Sequence, residues 1–362
     1  MIKKLKLNNF KCFQEIDMKF TNVNVLTGLN GMGKSTVMQG ILLLAQDGKG
    51  VSTSQNLSLK GKYVNLGIGQ DVLYEKAEND EIGIEILVED NQDKIVLGYK
   101  SEEDVLPIVQ KSNGKASAEL EKCLSYLSAY RIEPRFLYQI ENETELEKRY
   151  FGKNGEYAIQ YLKLYGGDSV RNCSILRGNV EKDTILDQVK EWLDMISPGV
   201  SPIITVNPSS RTAELQYEYI ENREKTNSYK SVNVGFGITY VLPVVVSLVA
   251  AQRGDVLLIE NPEAHIHPHG QRMLGELIAM AGNGGVQVIV ETHSDHVLNG
   301  IRVAVKQKKL KAADTSFFFF YKDVEDSFRH KVMCPMLDSN GRLDKWPEGF
   351  FDEWENALLE LL

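Results

Sequence analysis

The chain has 362 residues, 43% hydrophobic and 25% charged, with a formal net charge of −9. That balance excludes a disordered chain and a surface that is basic all over, and leaves room for one large domain or two unequal ones. The longest apolar stretch, Tyr240 to Ala251, is too short to span a bilayer, and MIKKLKLNNF lacks a signal-peptide core, so a cytoplasmic protein with no membrane partner is expected.

Ile2 to Leu7 and Phe13 to Phe20 alternate apolar and polar residues, predicting a hairpin with Asn9-Phe10-Lys11 at its turn. Asn22 to Thr27 reads as a strand and Val37 to Ala45 as a helix. Between them lies GLNGMGKST, Gly28 to Thr36, which fits G-x-x-x-x-G-K-[ST] in its required strand-to-helix setting. Gly28, Gly31 and Gly33 allow backbone that side chains would block, so that successive N–H groups turn toward a polyphosphate at the helix N-terminus. Asn30, Gly31, Gly33, Lys34, Ser35 and Thr36 are therefore candidate ligands of a nucleotide's phosphates, which the resemblance given below makes ATP. Lys34 supplies charge to the β- and γ-phosphates, and Ser35 offers its hydroxyl to Mg²⁺.

Gln46 to Lys62 is polar and expected to be exposed. Tyr63 to Asp71 leads to two strands, Glu81 to Glu89 and Lys94 to Lys100, read as an antiparallel pair. From Ser101 to about Pro198 the pattern is helical in pieces: Leu120, Cys123, Leu124 and Leu127, then Ile185, Val189, Trp192 and Leu193. Glu141 to Arg149 is a charged helix candidate, whereas Leu124 to Pro134 also fits a strand entering a turn. Ile203 to Val206 and Thr212 to Ile220 read as strands, and Glu221 to Lys230 as a loop. Cys12, Cys123, Cys173 and Cys334 form no C-x-x-C pair, so reduced, buried thiols are expected.

Ser231 to Gly237 is a glycine-bearing turn opening a long apolar helix. Asp255 to Glu260 is a buried strand ending in a carboxylate, which suits Mg²⁺ bound to nucleotide because the ion needs a second oxygen partner. Val286 to Val290 repeats the pattern and ends at Glu291-Thr292-His293-Ser294-Asp295. His265, His267 and His269 also admit a metal cluster, but no cysteine accompanies them. Arg302, Lys306, Lys308, Lys309 and Lys311 form a basic segment, read as a solvated helix face with nucleic-acid contact as the alternative.

In its order of phosphate loop, insert, glycine turn with helix, ENPEAHIHP and THSD, the chain resembles the ABC-type ATPases, and within them the compact branch related to SMC-like and OLD-family ATPases. IKKLKLNNFKCF, YLSAYRIEP, FGKNGEYAIQYL, VNVGFGITYVLP and DKWPEGFFDEWENALL together resemble bacterial AAA-family ATPases that end in a small domain of unknown function. The resemblance implies an α/β fold: an ABC-type P-loop NTPase head with a mixed central sheet, an N-terminal antiparallel β part and a helical insert lobe. The corresponding segments are 1–100 for the first half of the head, 101–200 for the mainly helical insert, 201–322 for the second half and 323–362 for a cap.

It also implies a head-to-tail dimer with ATP between the copies, in which Asn233, Gly235 and Gly237 match the signature loop that meets the γ-phosphate of the other copy. His293 matches the switch histidine, Asn9 and Lys11 the positions near adenine and ribose, and Gln70 the glutamine joining Mg²⁺ to water. One departure bears on mechanism: most such ATPases end the strand with Asp then Glu, and here the pair is Glu260-Asn261. An amide is no general base at neutral pH, so Glu263 is the candidate substitute, and without it hydrolysis is slow and ATP acts as a clamp.

Relatives of this shape often occur as ATPase subunits of anti-phage systems such as Septu or PARIS, paired with a nuclease or toxin, and that role is expected here; a repair-type ATPase cycling on nucleic acid is the alternative. Too little sequence follows His293 for a Toprim nuclease domain, since domains need upwards of about 50–100 residues. Asp323, Glu325, Asp326 and Asp338 read as loop acids, so no intrinsic nuclease is expected. The aromatic tail from Trp346 reads as a cap that buries its rings, with partner docking as the alternative.

Overall fold

The computed structural model describes residues 1–46, 55–140, 151–178, 182–221, 224–323, 329–347, 349–351 and 353–361. The helix expected over Glu141 to Arg149, the acids Glu325 and Asp326, and part of the polar passage after Gln46 lie outside those residues. Contacts gather the chain into two compact units: Met1–Leu124, Ser316–Met336 and Leu343–Leu362 form one, Ser125–Thr315 and Leu337–Arg342 the other. The segment expected to be an insert is thus shared between the two.

The first unit runs β1 (Ile2–Phe10), β2 (Phe13–Lys19), β3 (Val23–Gly28), α1 (Lys34–Gln46), β4 (Asn56–Ser58), α2 (Gly69–Val72), β5 (Glu81–Val88), β6 (Asn91–Gly98), β7 (Val105–Lys111) and α3 (Lys115–Cys123). The period-2 pattern at the N-terminus does what it predicts. Ile2, Leu5, Leu7 and Phe10 are all buried, and β1 pairs antiparallel with both β2 and β5, setting Leu7 opposite Ile16 and Ile84. The sheet continues in the order β2-β1-β5-β6-β7-β4. β3 is instead buried on both faces along most of its length, which a central strand requires.

Two expectations are corrected. The helical reading of residues 101–200 misses β7, and the run Leu120, Cys123, Leu124, Leu127 is not one helix. α3 stops at Cys123 because Leu124 is extended, at φ −85 and ψ 130, and the next four residues are a fully buried strand. Over so short an apolar run, helix and buried strand share one pattern. Buried thiols were also expected, yet Cys173 and Cys334 are exposed and Cys12 and Cys123 half-buried.

The second unit runs β8 (Leu124–Leu127), β9 (Tyr138–Gln139), α4 (Ala158–Tyr165), α5 (Ile185–Ile196), β10 (Val200–Asn207), β11 (Thr212–Glu221), β12 (Glu224–Lys225), β13 (Tyr229–Lys230), α6 (Phe236–Ala250), β14 (Val256–Glu260), α7 (Pro268–Asn283), β15 (Gln287–Glu291) and α8 (Asp295–Lys306). α5 starts where Thr184 Oγ1 accepts the Asp187 N–H, and buries Ile185, Val189, Trp192 and Leu193 as their spacing predicts. β14 and β15 are parallel with Glu260 opposite Glu291, so two acids leave the sheet at one end. α7, entered through Pro268 with His267 as N-cap, makes the crossover between them.

The chain then returns to the first unit through β16 (Thr315–Lys322), β17 (His330–Met333) and α9 (Glu353–Leu361). β17, β16 and β3 are neighbours in that order. In the tail Phe350 is fully buried, edge-on to Phe319 at 5.4 Å and to Trp346 at 5.0 Å, while Trp346 itself stays exposed. Asp338 accepts the N–H groups of Asn340 and Arg342, both at 2.8 Å, which accounts for it as a loop acid. Among the described residues no helix is long and apolar enough to cross a membrane.

Candidate functional site

The first unit carries the phosphate loop. Gly31 and Gly33 take the left-handed φ values of 76° and 99° that the motif demands. A Cβ on Gly33 would lie 2.5 Å from the Phe13 ring and 2.6 Å from Cys12 Sγ, so the loop is pressed against the β1–β2 turn. Lys34 is 3% exposed and donates to the carbonyls of Gly28 at 2.9 Å and Leu29 at 2.8 Å, which folds it back across the loop. Asn30 and Gly31 are exposed at the apex, Ser35 is half-buried, and Thr36 is buried with Oγ1 facing Cys12 Sγ at 3.7 Å.

The turn beside the loop holds Asn9 and Lys11, both at positive φ. The Lys11 N–H donates to Val72 O at 2.8 Å and the Tyr74 N–H to Asn9 O at 3.1 Å, so α2, with the exposed Gln70, lies along this turn. The Asn9 amide donates to Asn79 Oδ1 and Glu81 O, which gives it a structural task. Lys11 Nζ donates to Gln39 Oε1 at 2.9 Å, and burial lowers its pKa.

The second unit carries the strand-end acids. The Glu260 carboxylate accepts from Tyr126 Oη and from the Ala129 N–H, each at 3.0 Å. Asn261 sits at φ 43, a left-handed value that asparagine tolerates better than most residues, and its N–H donates to Glu291 O at 2.8 Å. Glu263 Oε1 accepts the His293 N–H at 2.8 Å. Among the described residues Asn261 Oδ1 and Glu263 Oε2 are enclosed without a hydrogen-bond partner. Burial raises the Glu263 pKa above the ordinary carboxylate value, against the pull of the His293 N–H and the Arg131 charge.

Arg131, buried at 6% exposure, is the centre of this cluster and was not foreseen as a site residue. Its guanidinium donates to the carbonyls of Glu260 and of Asn261 and lies over the Tyr240 ring, 5.1 Å from the centroid. Burial brings its pKa down to about 10, which leaves it charged at neutral pH. The one signal in the sequence was an arginine inside the aromatic stretch YLSAYRIEP. His293 itself is exposed, one residue past the buried Thr292.

The glycine turn before α6 is in the same unit. A Cβ on Gly237 would meet His265 O at 2.0 Å, so that position accepts glycine alone. Gly235 is different: a Cβ there would meet only Ile238 Cδ1, at 3.9 Å. Asn233 and Gly235 are exposed. His265 packs edge-on against Phe236 at 4.8 Å and Tyr240 at 5.1 Å, and no cluster of metal-ligating side chains exists among the described residues. In the basic segment Lys309 is committed to Glu276 at 2.6 Å and Arg302 to Gly341 O at 2.8 Å.

Residues 1–194 match the family model described as "AAA ATPase domain", residues 205–299 one described as "AAA domain, putative AbiEii toxin, Type IV TA system", and residues 310–361 one described as "Protein of unknown function (DUF3696)". The OLD nuclease of Thermus scotoductus is 22% identical over 327 residues, covering 81% of this chain and 59% of its own. The chain therefore spans little more than half the length of that relative. The DNA replication and repair protein RecF of a Thermoanaerobacter species is 31% identical over 120 residues, 33% of this chain and 29% of its own. Among solved structures, the SmcHead bound to the C-winged helix domain of ScpA superposes with a TM-score of 0.56 at 14% identity, over 93% of this chain and 98% of that one. The architecture is thus that of an SMC head, an ABC-type ATPase fold.

Proposed function

Because the chain belongs to the family of AAA ATPase domains, we propose that it binds ATP between two copies arranged head-to-tail and hydrolyses it with Glu263 as the general base. One copy supplies Asn30 to Thr36, with Asn9 and Lys11 toward the base and ribose and His293 as the switch residue, and the second supplies Asn233, Gly235 and Gly237. The observation that carries this reading is the pair Asn261 and Glu263. The amide stands where a carboxylate is usual, and three residues on an acid is held by the His293 N–H with its second oxygen enclosed and unpartnered. Enclosure and a pKa raised from the ordinary carboxylate value make an acid a stronger proton acceptor.

Gly235 supports the two-copy part of the reading, since among the described residues a side chain there would meet no close neighbour. The family resemblance implies Mg²⁺ beside the nucleotide: Ser35 and Glu260, with Gln70 as a further candidate, would hold it, and it would neutralise charge on the β- and γ-phosphates.

We assign the molecule a regulatory role, as the ATPase subunit of an anti-phage system of the Septu or PARIS kind with a separate nuclease or toxin as effector. The likeness to OLD nuclease over 81% of the chain and the toxin–antitoxin family match support it. The RecF match favours a second reading, an ATPase cycling on DNA. Oligomer size and hydrolysis measured together, with and without ATP, test the core of the proposal. Wild type is expected to dimerise with ATP and Lys34→Ala to stay monomeric; hydrolysis by a strictly monomeric wild type contradicts it. Adding duplex DNA separates the two roles, because stimulation of turnover is expected of the second only.

A further inference from the structure

Two stretches that stand out in the sequence, YLSAYRIEP and FGKNGEYAIQYL, take no part in the chemistry above, yet one braces the other. The Ser128 N–H donates to Lys153 O at 2.7 Å, Ser128 Oγ to Asn154 Oδ1 at 3.1 Å, and the Ile132 N–H to Asn154 O at 2.8 Å. Residues 128–132 are thereby fixed at both ends. From this braced segment Tyr126 Oη and the Ala129 N–H meet the Glu260 carboxylate, and Arg131 meets the carbonyls of Glu260 and Asn261.

We propose that Arg131 is a positioning residue for ATP hydrolysis: its guanidinium grips these two carbonyls, locks the left-handed turn at Asn261 and so fixes where Glu263 points. The inference rests on the reading of Glu263 as base. A non-glycine residue at positive φ persists only where its surroundings hold it, and the Asn261 amide oxygen, enclosed and unpartnered, does not do so. The planar fork of arginine suits two carbonyls at once, whereas a lysine is a single point of charge. Arg131 is in turn held in place: its ring partner Tyr240 donates to Ala129 O and accepts the Arg131 N–H at 3.3 Å.

Single-turnover ATP hydrolysis and ATP affinity, measured for Arg131→Ala, Arg131→Lys, Glu263→Gln and the two double variants, test this. A displacement of the base by about 1 Å costs roughly 10²-fold in rate. Arg131→Ala is expected to lose about that much turnover with ATP affinity within about 3-fold of wild type, and Arg131→Lys, keeping one donor, to lose less. Because Arg131 acts through Glu263, adding either change to Glu263→Gln is expected to cost nothing further.

Equal losses from Arg131→Ala in both backgrounds overturn the inference, as does wild-type turnover in a folded Arg131→Ala. Should that variant fail to fold, Arg131→Lys decides on the same two criteria. Full turnover in Glu263→Gln instead overturns the reading of Glu263 as base, whatever the Arg131 variants do.

Discussion

The phosphate loop of the first unit and the acid cluster of the second are built by opposite means. In the loop the working groups are backbone N–H groups, freed by Gly31 and Gly33 and backed by the Phe13 and Cys12 side chains. In the acid cluster they are side chains, each held by a named partner: Tyr126 and Ala129 on Glu260, the His293 N–H on Glu263, Arg131 on the turn between them. A backbone device must keep its motif, since one Cβ destroys it. A side-chain device can lose a member, as at Asn261, and keep its chemistry if another acid is aimed into the gap.

The largest expected effect breaks the phosphate loop. Lys34→Ala removes the phosphate cation and leaves two loop carbonyls without their donor, and turnover is expected to fall about 10²–10³-fold, read by steady-state hydrolysis. Gly237→Ala tests the helix start in the second unit. Its Cβ collides with His265 O, and a loss of about 1–3 kcal/mol in urea unfolding is expected. Gly235→Ala sharpens the contrast, since it changes stability by less than about 0.5 kcal/mol yet is expected to abolish ATP-dependent dimerisation, as seen by light scattering.

The smallest effect is in pH dependence. Burial raises the folded pKa of Glu263, so the base is lost to protonation at a higher pH than an ordinary carboxylate, and the acid limb of the turnover profile moves up accordingly. For stability the sign is opposite. A raised folded pKa contributes stability that is present below the unfolded value and lost as pH rises through the folded one. Glu263→Gln is therefore expected to be more stable than wild type above that raised pKa, and the gain to vanish in acid, as thermal melts across pH would register.

The β1–β2 hairpin, β3, α1, α5 and β14 were legible because their periodicity is long or because one motif fixed them. The loop residues Gly28 to Thr36 were legible for the same reason. β7 was not, because it is short and largely exposed and lacks a clean alternation, whereas β8 was legible only as one of two readings, the strand over Leu124 to Pro134 competing with a helix over the same short apolar run. Arg131 was invisible as a site residue because its task is to hold backbone carbonyls, and a carbonyl has no letter in the sequence. The departure at Asn261 was legible, whereas the tether between Glu263 and His293 was not, since it joins residues thirty apart.

The most direct test of the account is single-turnover ATP hydrolysis by Glu263→Gln beside wild type at saturating ATP. ATP is expected still to bind and the dimer still to form, while the rate falls by about 10²-fold or more, the share a general base contributes. A rate within twofold of wild type would contradict it, and would mean that Glu263 is not the residue that stands in for the carboxylate missing at Asn261.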